Sequence, residues 1–400
     1  MQTNEIIQQF EKYVISNYGR LPFVITKGAG SIITDSEGKE YLDMFPGWAV
    51  SGIGHCHPKV VDAIQQQAGQ LIHMDNTFYN AQQGQLAQML SERSFGGKVF
   101  FCNSGAEAVE AALKLSRIHT AKNKYKIISV EGSFHGRTTG AVAATAQPKY
   151  HKGFLPLMPG FVYIAHNDID GLKAAFDDDV AAVIIEPIQG EGGVRLASVE
   201  FLQTIRDLCD ENEAIAIWDE VQCGMGRTGK WFGYQNYGIE PDIMTLAKAL
   251  GGGTSIGAIV ARAEIADSLV PGTHASTFGG NPLVCAAGIA TIEAIEEENL
   301  LENANEMGRY AQAKLNELKD KHNCINLVRG FGLMIGIVLN EPGAEIVAKC
   351  WEKGLRINCT QGNILRFMPA MNVTQELLDK AIAIFDETLT ELSGTTSAEE

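Results

Sequence analysis

The sequence predicts an α/β protein with a large domain built on a mostly parallel sheet and a smaller α+β domain. Between about residues 95 and 265, short apolar segments alternate with amphipathic ones, the pattern of strands buried on both faces alternating with helices. The last third of the chain shows hairpin and short-strand patterns instead. The length of 400 residues also exceeds one ordinary core, so two domains are expected.

Seven apolar segments are the strand candidates of the large domain. In chain order they are KVFFC (98–102), KIISV (126–130), FVYIA (161–165), AAVIIEP (181–187), AIAIWDE (214–220), DIMTLAK (242–248) and GAIVA (257–261). The segments between them are helix candidates, and Glu107 to Arg117 is rich in Ala and Leu with basic residues near its end.

The remaining segments predict the smaller domain. Residues 324–339 read as a hairpin, 354–359 and 363–369 as short strands, and a helical repeat follows a plausible N-cap at Thr374. Residues 1–50 hold two further strand candidates separated by a turn, and we expect them to join the small domain. The predicted divisions are therefore 1–50, a large domain over 51–290, a small domain over 291–392 and a flexible tail over 393–400.

Composition excludes several classes of protein. A net charge of −16 disfavours nucleic acid and anionic membranes as general partners. The eight cysteines include no C-x-x-C pair, which indicates reduced thiols and favours the cytoplasm. The chain shows neither an export signal at its start nor an apolar run long enough to span a membrane.

Polar residues follow several predicted strands, where ligands gather in open α/β sheets. After KVFFC, the small residues Ser104, Gly105 and Ala106 open a helix, whose free N–H groups and dipole suit a phosphate. An ordinary N-cap is the alternative. Phe134, after KIISV, could stack on a flat heterocycle or lie in the core.

Two charged residues at strand ends complete the pattern. Asp219 directly follows buried-type residues, so its carboxylate needs a cation such as a protonated pyridine nitrogen or, alternatively, a structural ion pair. Lys248 precedes three glycines and could serve as an amine nucleophile once removed from water, although most lysines are only surface residues. Together these residues suit a phosphate-bearing pyridine aldehyde.

Two other patterns are weaker. GMGRTGK (224–230) has the glycine and lysine spacing of a P-loop, but Trp231 stands where Ser or Thr would bind magnesium. The group His55, Cys56 and His57, with His73 and Asp75 later, could suggest a metal site, yet it lacks the usual ligand spacing, so no metal is predicted.

The motifs resemble those of class III aminotransferases of the aspartate-aminotransferase fold, also called pyridoxal-phosphate fold type I, over nearly the whole chain. The resemblance rests on GHCHPKV (54–60), FCNSGAEAVEAALKLSR (101–117), FHGRT (134–138), EPIQGEGG (186–193), WDEVQCGMGRTGK (218–230), TLAKALGGG (245–253), STFGGNP (276–282) and LRFMPA (365–370). It implies pyridoxal 5'-phosphate as the cofactor.

The resemblance also implies roles for the cofactor-binding residues. Lys248 would hold the cofactor covalently and move the substrate proton, and Asp219 would pair with the pyridine nitrogen. Gln222 would reach the ring hydroxyl and Phe134 would stack on the ring. Thr277 would contact the phosphate from a neighbouring subunit, beside Gly105 and Ala106, which implies a homodimer with shared active sites.

For substrates, the resemblance implies Arg366 for the α-carboxylate of glutamate and Arg137 for a second carboxylate or the far end of ornithine. Glu191 would act as a gate that pairs with Arg366 when the amino-donor substrate binds and releases it for glutamate, and Tyr18 would contact substrate. Trp48 departs from the tyrosine or small aliphatic residue of relatives, which leaves the pocket shape open.

The implied reaction is ping-pong transfer of an amino group from an ω-amino donor to 2-oxoglutarate. N2-acetylornithine is the leading donor, and ornithine, succinylornithine and 4-aminobutyrate are alternatives. An aminomutase on the same fold and a P-loop nucleotide-binding enzyme are the more distant alternatives.

Overall fold

The computed structural model describes residues 3–120 and 124–396, and its largest element is a seven-stranded sheet. The strands of the first part of the chain are β1 (Ile25–Ala29), β2 (Ile32–Asp35), β3 (Glu40–Asp43), β4 (Lys98–Cys102), β5 (Lys126–Val130), β6 (Phe161–Ile164), β7 (Val180–Ile185), β8 (Ile188–Gln189), β9 (Arg195–Leu196), β10 (Ile215–Asp219), β11 (Ile243–Leu246) and β12 (Gly257–Ala261). All seven strand candidates of the large domain are therefore confirmed as strands.

The large sheet has the order β4-β12-β11-β10-β7-β5-β6. Only β12 runs antiparallel to its neighbours, and the other pairs are parallel. The central strands β7, β10, β11 and β12 are buried along their whole length, because helices cover both faces of the sheet. The predicted mostly parallel sheet is confirmed.

Among the described residues, ten helices lie in the same part of the chain as these strands. They are α1 (Thr3–Tyr13), α2 (Pro58–Ala68), α3 (Ala81–Arg93), α4 (Gly105–His119), α5 (Thr139–Ala144), α6 (Pro148–His151), α7 (Ile169–Ala175), α8 (Val199–Glu211), α9 (Ala263–Ala266) and α10 (Pro282–Glu297). The alanine-rich face of α4 packs with one side of the sheet, and α8 and α10 pack on the other, giving two apolar layers.

The C-terminal part contains α11 (Leu300–Lys321), β13 (Ile325–Phe331), β14 (Met334–Leu339), α12 (Ala344–Glu352), β15 (Leu355–Arg356), β16 (Asn358–Thr360), β17 (Ile364–Phe367) and α13 (Gln375–Thr396). The strands β13-β14-β17-β16 form an antiparallel sheet, which agrees with the predicted hairpin and short strands. The Thr374 hydroxyl accepts a hydrogen bond from Leu377 N and so caps α13 as predicted.

The N-terminal strands associate with the C-terminal part. β3 pairs in parallel with β15 and completes a sheet of order β1-β2-β3-β15, so the N-terminal strands share a sheet with a strand of the C-terminal part. A boundary at residue 290 would cut through α10, which packs on α2 and α3 of the large domain. Helix α13 continues to Thr396, past the residue 393 where a tail was expected, and 397–400 lie outside the described residues.

The fold brings the strand ends together at one edge of the large sheet. β10 ends at Asp219, Glu186 follows β7, and Lys248 follows β11 by two residues. Helix α4 begins just after β4 at the same edge. In the part of the chain that the structure describes, no helix has the length and apolar character needed to cross a membrane.

Candidate active site

A cavity of about 350 Å³ opens at this edge, and it collects most of the residues predicted from the sequence. The predicted residues on its wall are Ser104, Gly105, Ala106, Phe134, Arg137, Glu191, Asp219, Gln222 and Lys248. These nine residues come from five separate segments of the chain, so only the folded chain makes them neighbours.

Lys248 lies in the cavity wall at the start of a 3-10 helix (Lys248–Gly251) that follows β11. Its φ of 38° is in the left-handed region, a costly backbone conformation for a residue other than glycine and a feature that clusters at functional sites. Burial lowers the pKa of the Lys248 amine, and the carboxylates of Glu191 and Glu186 oppose that shift. A lowered pKa increases the neutral, nucleophilic fraction of the amine.

Asp219 is only 3% exposed and is held by three donors. Oδ1 accepts hydrogen bonds from Thr245 Oγ1 at 2.9 Å and Val221 N at 3.0 Å, and Oδ2 lies 2.7 Å from His135 Nδ1. Because an ionised carboxylate only accepts, Nδ1 of His135 carries the proton of that bond. These donors satisfy part of the hydrogen-bonding capacity of the carboxylate and fix its orientation at the cavity wall.

The N-terminus of α4 forms another part of the cavity wall. Ser104 has extended backbone and its hydroxyl accepts a hydrogen bond from Glu107 N at 3.2 Å, so it is an N-cap as well as a cavity residue. Gly105 and Ala106 start the helix, where backbone N–H groups have no partner within the helix. The helix start can therefore receive an anion such as phosphate.

Phe134 and Arg137 lie on the same loop after β5. The Arg137 guanidinium carbon is 4.3 Å from the ring centre of Tyr150 and 5.6 Å from that of Phe134. The Tyr150 and Phe134 rings meet edge to face at 5.4 Å. Aromatic contacts thus hold an otherwise exposed guanidinium at the cavity, where it can bind a carboxylate.

Glu191 and Arg366 form an ion pair beside the cavity. Arg366 Nη1 donates to Glu191 Oε1 at 2.6 Å and to the Gly190 carbonyl at 3.2 Å, and the Arg366 side chain is 1% exposed. Glu191 lines the cavity, whereas Arg366 lies behind it in β17. A substrate carboxylate that reaches Arg366 must therefore displace Glu191 or share the guanidinium with it.

Gln222 supplies an acceptor without a partner in the described part of the chain. Its Oε1 atom is buried and makes no hydrogen bond. Gly190 approaches so closely that a Cβ at that position would overlap the Gln222 amide. One cavity therefore offers four groups that fit pyridoxal phosphate. The Gln222 acceptor fits the ring hydroxyl, and the Lys248 amine fits the aldehyde. The Asp219 carboxylate fits the pyridine nitrogen, and the start of α4 fits the phosphate.

Besides Arg366, which lies behind the cavity, two predicted residues are not part of its wall in the single chain. Thr277 is exposed on the loop before α10, and Tyr18 is 65% exposed. Trp48 is 51% exposed with a φ of 57°, and Val50 from the same loop lines the cavity instead. Neither Thr277 nor Tyr18 therefore lines the candidate site of the single chain.

Sequence reasoning missed three buried residues of the site. His135 and Thr245 bind Asp219, and Glu186 accepts hydrogen bonds from Phe134 N at 2.9 Å and Gly190 N at 3.0 Å. Burial raises the pKa of Glu186 to about 7. All three lie inside the motifs FHGRT, EPIQGEGG and TLAKALGGG, and these positions were a usable signal.

The two weaker sequence patterns form other structures. Residues 224–230 form tight turns between β10 and a 3-10 helix (Gly233–Asn236), so they lack the strand-to-helix setting of a P-loop. His55 pairs with Asp43, whereas His57 pairs with Glu298. Among residues 3–120 and 124–396, no group of three or more His, Cys, Asp or Glu could hold a metal ion.

Comparison with known proteins finds aminotransferases that are similar to this chain over nearly its whole length. The family model for class-III aminotransferases matches residues 13–389. Acetylornithine aminotransferases of Caldanaerobacter subterraneus and Methanocaldococcus jannaschii are 51% and 50% identical, each over 96% of this chain and 98% and 97% of their own. The ornithine aminotransferase of Toxoplasma gondii superposes with a TM-score of 0.94 at 33% identity, covering 99% of this chain and 96% of its own.

A second solved structure, acetylornithine aminotransferase from Elizabethkingia anophelis, has a TM-score of 0.87 at 34% identity over 98% of this chain and all of its own. Another structure of the Toxoplasma gondii enzyme describes pyridoxal phosphate at its active site. The chain therefore belongs to the class-III aminotransferases, enzymes that transfer amino groups with pyridoxal 5'-phosphate.

Proposed function

We propose that this enzyme transfers the terminal amino group of N2-acetylornithine to 2-oxoglutarate. The observation that carries the proposal is the Arg366–Glu191 pair next to Lys248, because it lets one cavity accept substrates with different numbers of carboxylates. The relatives named acetylornithine aminotransferase, at 43–51% identity, support the choice of donor.

The donor and acceptor differ in charge, which the site must accommodate. N2-acetylornithine has one carboxylate, and we assign it to Arg137, so that the terminal amine points toward Lys248. Glutamate and 2-oxoglutarate have two, and we assign the α-carboxylate to Arg366 and the distal one to Arg137. Glu191 keeps the buried Arg366 charge paired during the donor half-reaction and yields to the carboxylate in the other.

The other site residues hold the cofactor, contact its ring or move a proton. When bound, pyridoxal phosphate supplies an aldehyde that takes the amine and a pyridine ring that draws electrons from the reacting carbon. Lys248 holds the cofactor and moves the proton at the reacting carbon, which its lowered pKa favours. Asp219 would keep the pyridine nitrogen protonated, Gln222 would accept a hydrogen bond from the ring hydroxyl, and Phe134 would stack on the ring.

The phosphate end completes the assignment. Backbone N–H groups of Gly105 and Ala106, with Ser104 as the cap, bind the phosphate. Thr277 adds a contact from the neighbouring subunit of a homodimer. Apolar side chains exposed near Thr277 support this interface: Ile72, Phe78, Tyr79 and Phe278 are 56%, 60%, 107% and 59% exposed. Asn76 links their loops through hydrogen bonds to Ser276 O and Gly279 O.

Tyr18 would reach the substrate through the same association, since the helix before it, α1, buries no residue within its own chain. We place the enzyme in the cytoplasm. All eight cysteines are free, as expected in a reducing compartment.

A half-reaction screen tests the proposed donor. Purified holoenzyme is mixed with N2-acetylornithine, ornithine, succinylornithine or 4-aminobutyrate, and the absorbance change that accompanies conversion of the cofactor to its amine form is followed. The proposal expects the highest kcat/KM for N2-acetylornithine and a requirement for 2-oxoglutarate to restore the starting spectrum. A faster reaction with another donor, or turnover without a keto acid, would contradict it.

Borohydride reduction followed by peptide mapping tests the site itself. The pyridoxyl group should be fixed on Lys248, and Lys248→Ala should bind cofactor without a covalent link and without transamination. Lys114, an exposed lysine beside His274, provides a matched control, since Lys114→Ala should leave the labelling unchanged. A label on any other lysine would refute the assignment of Lys248.

A further inference from the structure

The Arg366 guanidinium has a second partner that faces away from Glu191. Asn358 Oδ1 accepts hydrogen bonds from Arg366 Nε at 2.8 Å and from Nη2 at 2.5 Å. The two residues are directly opposite in the β16–β17 ladder, so sheet register holds the amide in place. Only the amide oxygen can accept from a guanidinium, which sets the orientation of the Asn358 side chain.

This contact limits how a carboxylate can approach. A guanidinium offers two edges for bidentate binding, Nε with Nη2 and Nη1 with Nη2. Asn358 occupies the first edge, and the Phe45 ring covers one face with its centre 4.5 Å from the guanidinium carbon. The edge that remains includes Nη1, which already donates to Glu191 and to the Gly190 carbonyl.

We propose that Asn358 is a specificity-determining positioning residue, which by occupying the Nε edge of Arg366 forces Glu191 and a substrate carboxylate to compete for the Nη1 edge. This inference rests on the proposed function, in which Arg366 receives a carboxylate of the acceptor substrate. If the Nε edge were free, a carboxylate could bind there and leave Glu191 in place. The competition therefore depends on Asn358 as well as on Glu191.

The Asn358 side chain carries no charge, and this affects how strongly Arg366 attracts a substrate carboxylate. An amide satisfies two N–H groups of Arg366 without cancelling its charge, so Glu191 is the carboxylate that pairs with it. An aspartate at this position would keep the oxygen and the shape but pair with Arg366 permanently. The dicarboxylate substrate would then lose much of its electrostatic attraction, whereas a donor that leaves Arg366 unused would not.

The first experiment measures binding of glutarate, a dicarboxylate that cannot react, to the holoenzyme of Asn358→Asp by titration calorimetry. Loss of a charge-assisted interaction predicts about tenfold weaker binding or more, with the KM of the amino donor changed by less than about threefold. Asn316→Asp, which adds the same charge on the exposed face of α11, is the control and should leave both unchanged. Equal losses for glutarate and the donor would indicate a structural role and overturn the proposal.

A double-mutant cycle tests the competition directly. Glu191→Ala should tighten glutarate binding by about tenfold in the otherwise native enzyme, but by less than about twofold when Asn358→Ala has opened the Nε edge. The same gain in both backgrounds would overturn the role of Asn358.

Arg366→Ala separates this failure from failure of the proposed function. If Arg366→Ala does not weaken glutarate, Arg366 does not bind the carboxylate, and both ideas fail together. If Arg366→Ala weakens glutarate strongly while the cycle is additive, the proposed function survives and the Asn358 proposal alone is refuted.

Discussion

Replacing Asp219 with Asn removes a charge from the site while preserving its hydrogen bonds. In Asp219→Asn, the amide oxygen can still accept from Thr245 Oγ1 and Val221 N, which bind Oδ1 at 2.9 and 3.0 Å. In the native chain His135 Nδ1 lies 2.7 Å from Asp219 Oδ2, and in the variant the amide nitrogen takes the place of Oδ2. A neutral histidine can exchange its ring proton to Nε2, an atom without a partner among the described residues, and accept at Nδ1.

The expected effect is consequently large on the chemistry and small on the fold. Because Asp219 is 3% exposed, water screens little of the interaction between its charge and a protonated pyridine nitrogen. A charge-assisted hydrogen bond contributes about 1.5–3 kcal/mol, and a preorganised charge at a reacting group typically contributes about 100- to 1,000-fold in rate. We expect proton abstraction to slow by at least about 100-fold, with substrate affinity changed by less than about fivefold.

Single-turnover kinetics at saturating amino donor provide the measurement. Thr245→Val is the matched control, because it removes one hydrogen bond to Asp219 Oδ1 but keeps the charge, and it should slow the reaction by no more than about tenfold. A kinetic isotope effect with an amino donor that carries deuterium at the reacting carbon would verify that the slowed step is proton transfer. A half-reaction in Asp219→Asn as fast as in the native enzyme would show that the carboxylate is only structural.

Three further predictions follow from the site. Glu191→Ala should tighten 2-oxoglutarate binding and impair the acetylornithine half-reaction, while Arg366→Ala should chiefly damage the glutamate half-reaction; equal single-turnover losses for both substrates in Glu191→Ala would reject the gate. The pKa of Glu186 is about 7 in the folded protein against an ordinary 4.5, so between these values only the folded state keeps the proton, and the free energy of unfolding should fall as pH rises, by up to about 3 kcal/mol. Urea unfolding of the cofactor-free protein at pH 5 and 7.5 measures this fall, which should be much smaller in Glu186→Gln. Thr277→Ala should weaken cofactor binding in a dimer, and light scattering that finds a fully active monomer would contradict the shared site.

The elements of the fold were largely predictable from local sequence. The strands of the large sheet are continuous apolar runs such as VAAVII in β7, which is buried at every position, so hydrophobic pattern and burial agree. Boundaries were less predictable. The division expected at residue 290 falls inside α10, because the end of a helix depends on what it packs against as well as on its own residues.

The candidate site residues were predictable where a strand end placed a distinctive side chain in a recognisable motif. Lys248, Asp219 and the start of α4 were predicted in this way, and the cavity brings them together. His135 and Glu186 were not found, although they lie in the same motifs. The bonds that place them in the site include His135 to Asp219, 84 positions apart, and Phe134 to Glu186, 52 positions apart, and no local pattern reports contacts over such distances.

The sequence by itself determined the α/β class and the order of the strands along the chain, since both depend on local apolar periodicity and on turn residues, and its motifs indicated the residues that could hold the cofactor. Only the tertiary structure decided which edge of Arg366 stays open, because Asn358 reaches it across a strand pair and Glu191 across 175 positions. Contacts between distant segments depend on how sheets and loops pack, and that packing is a property of the whole chain rather than of any motif.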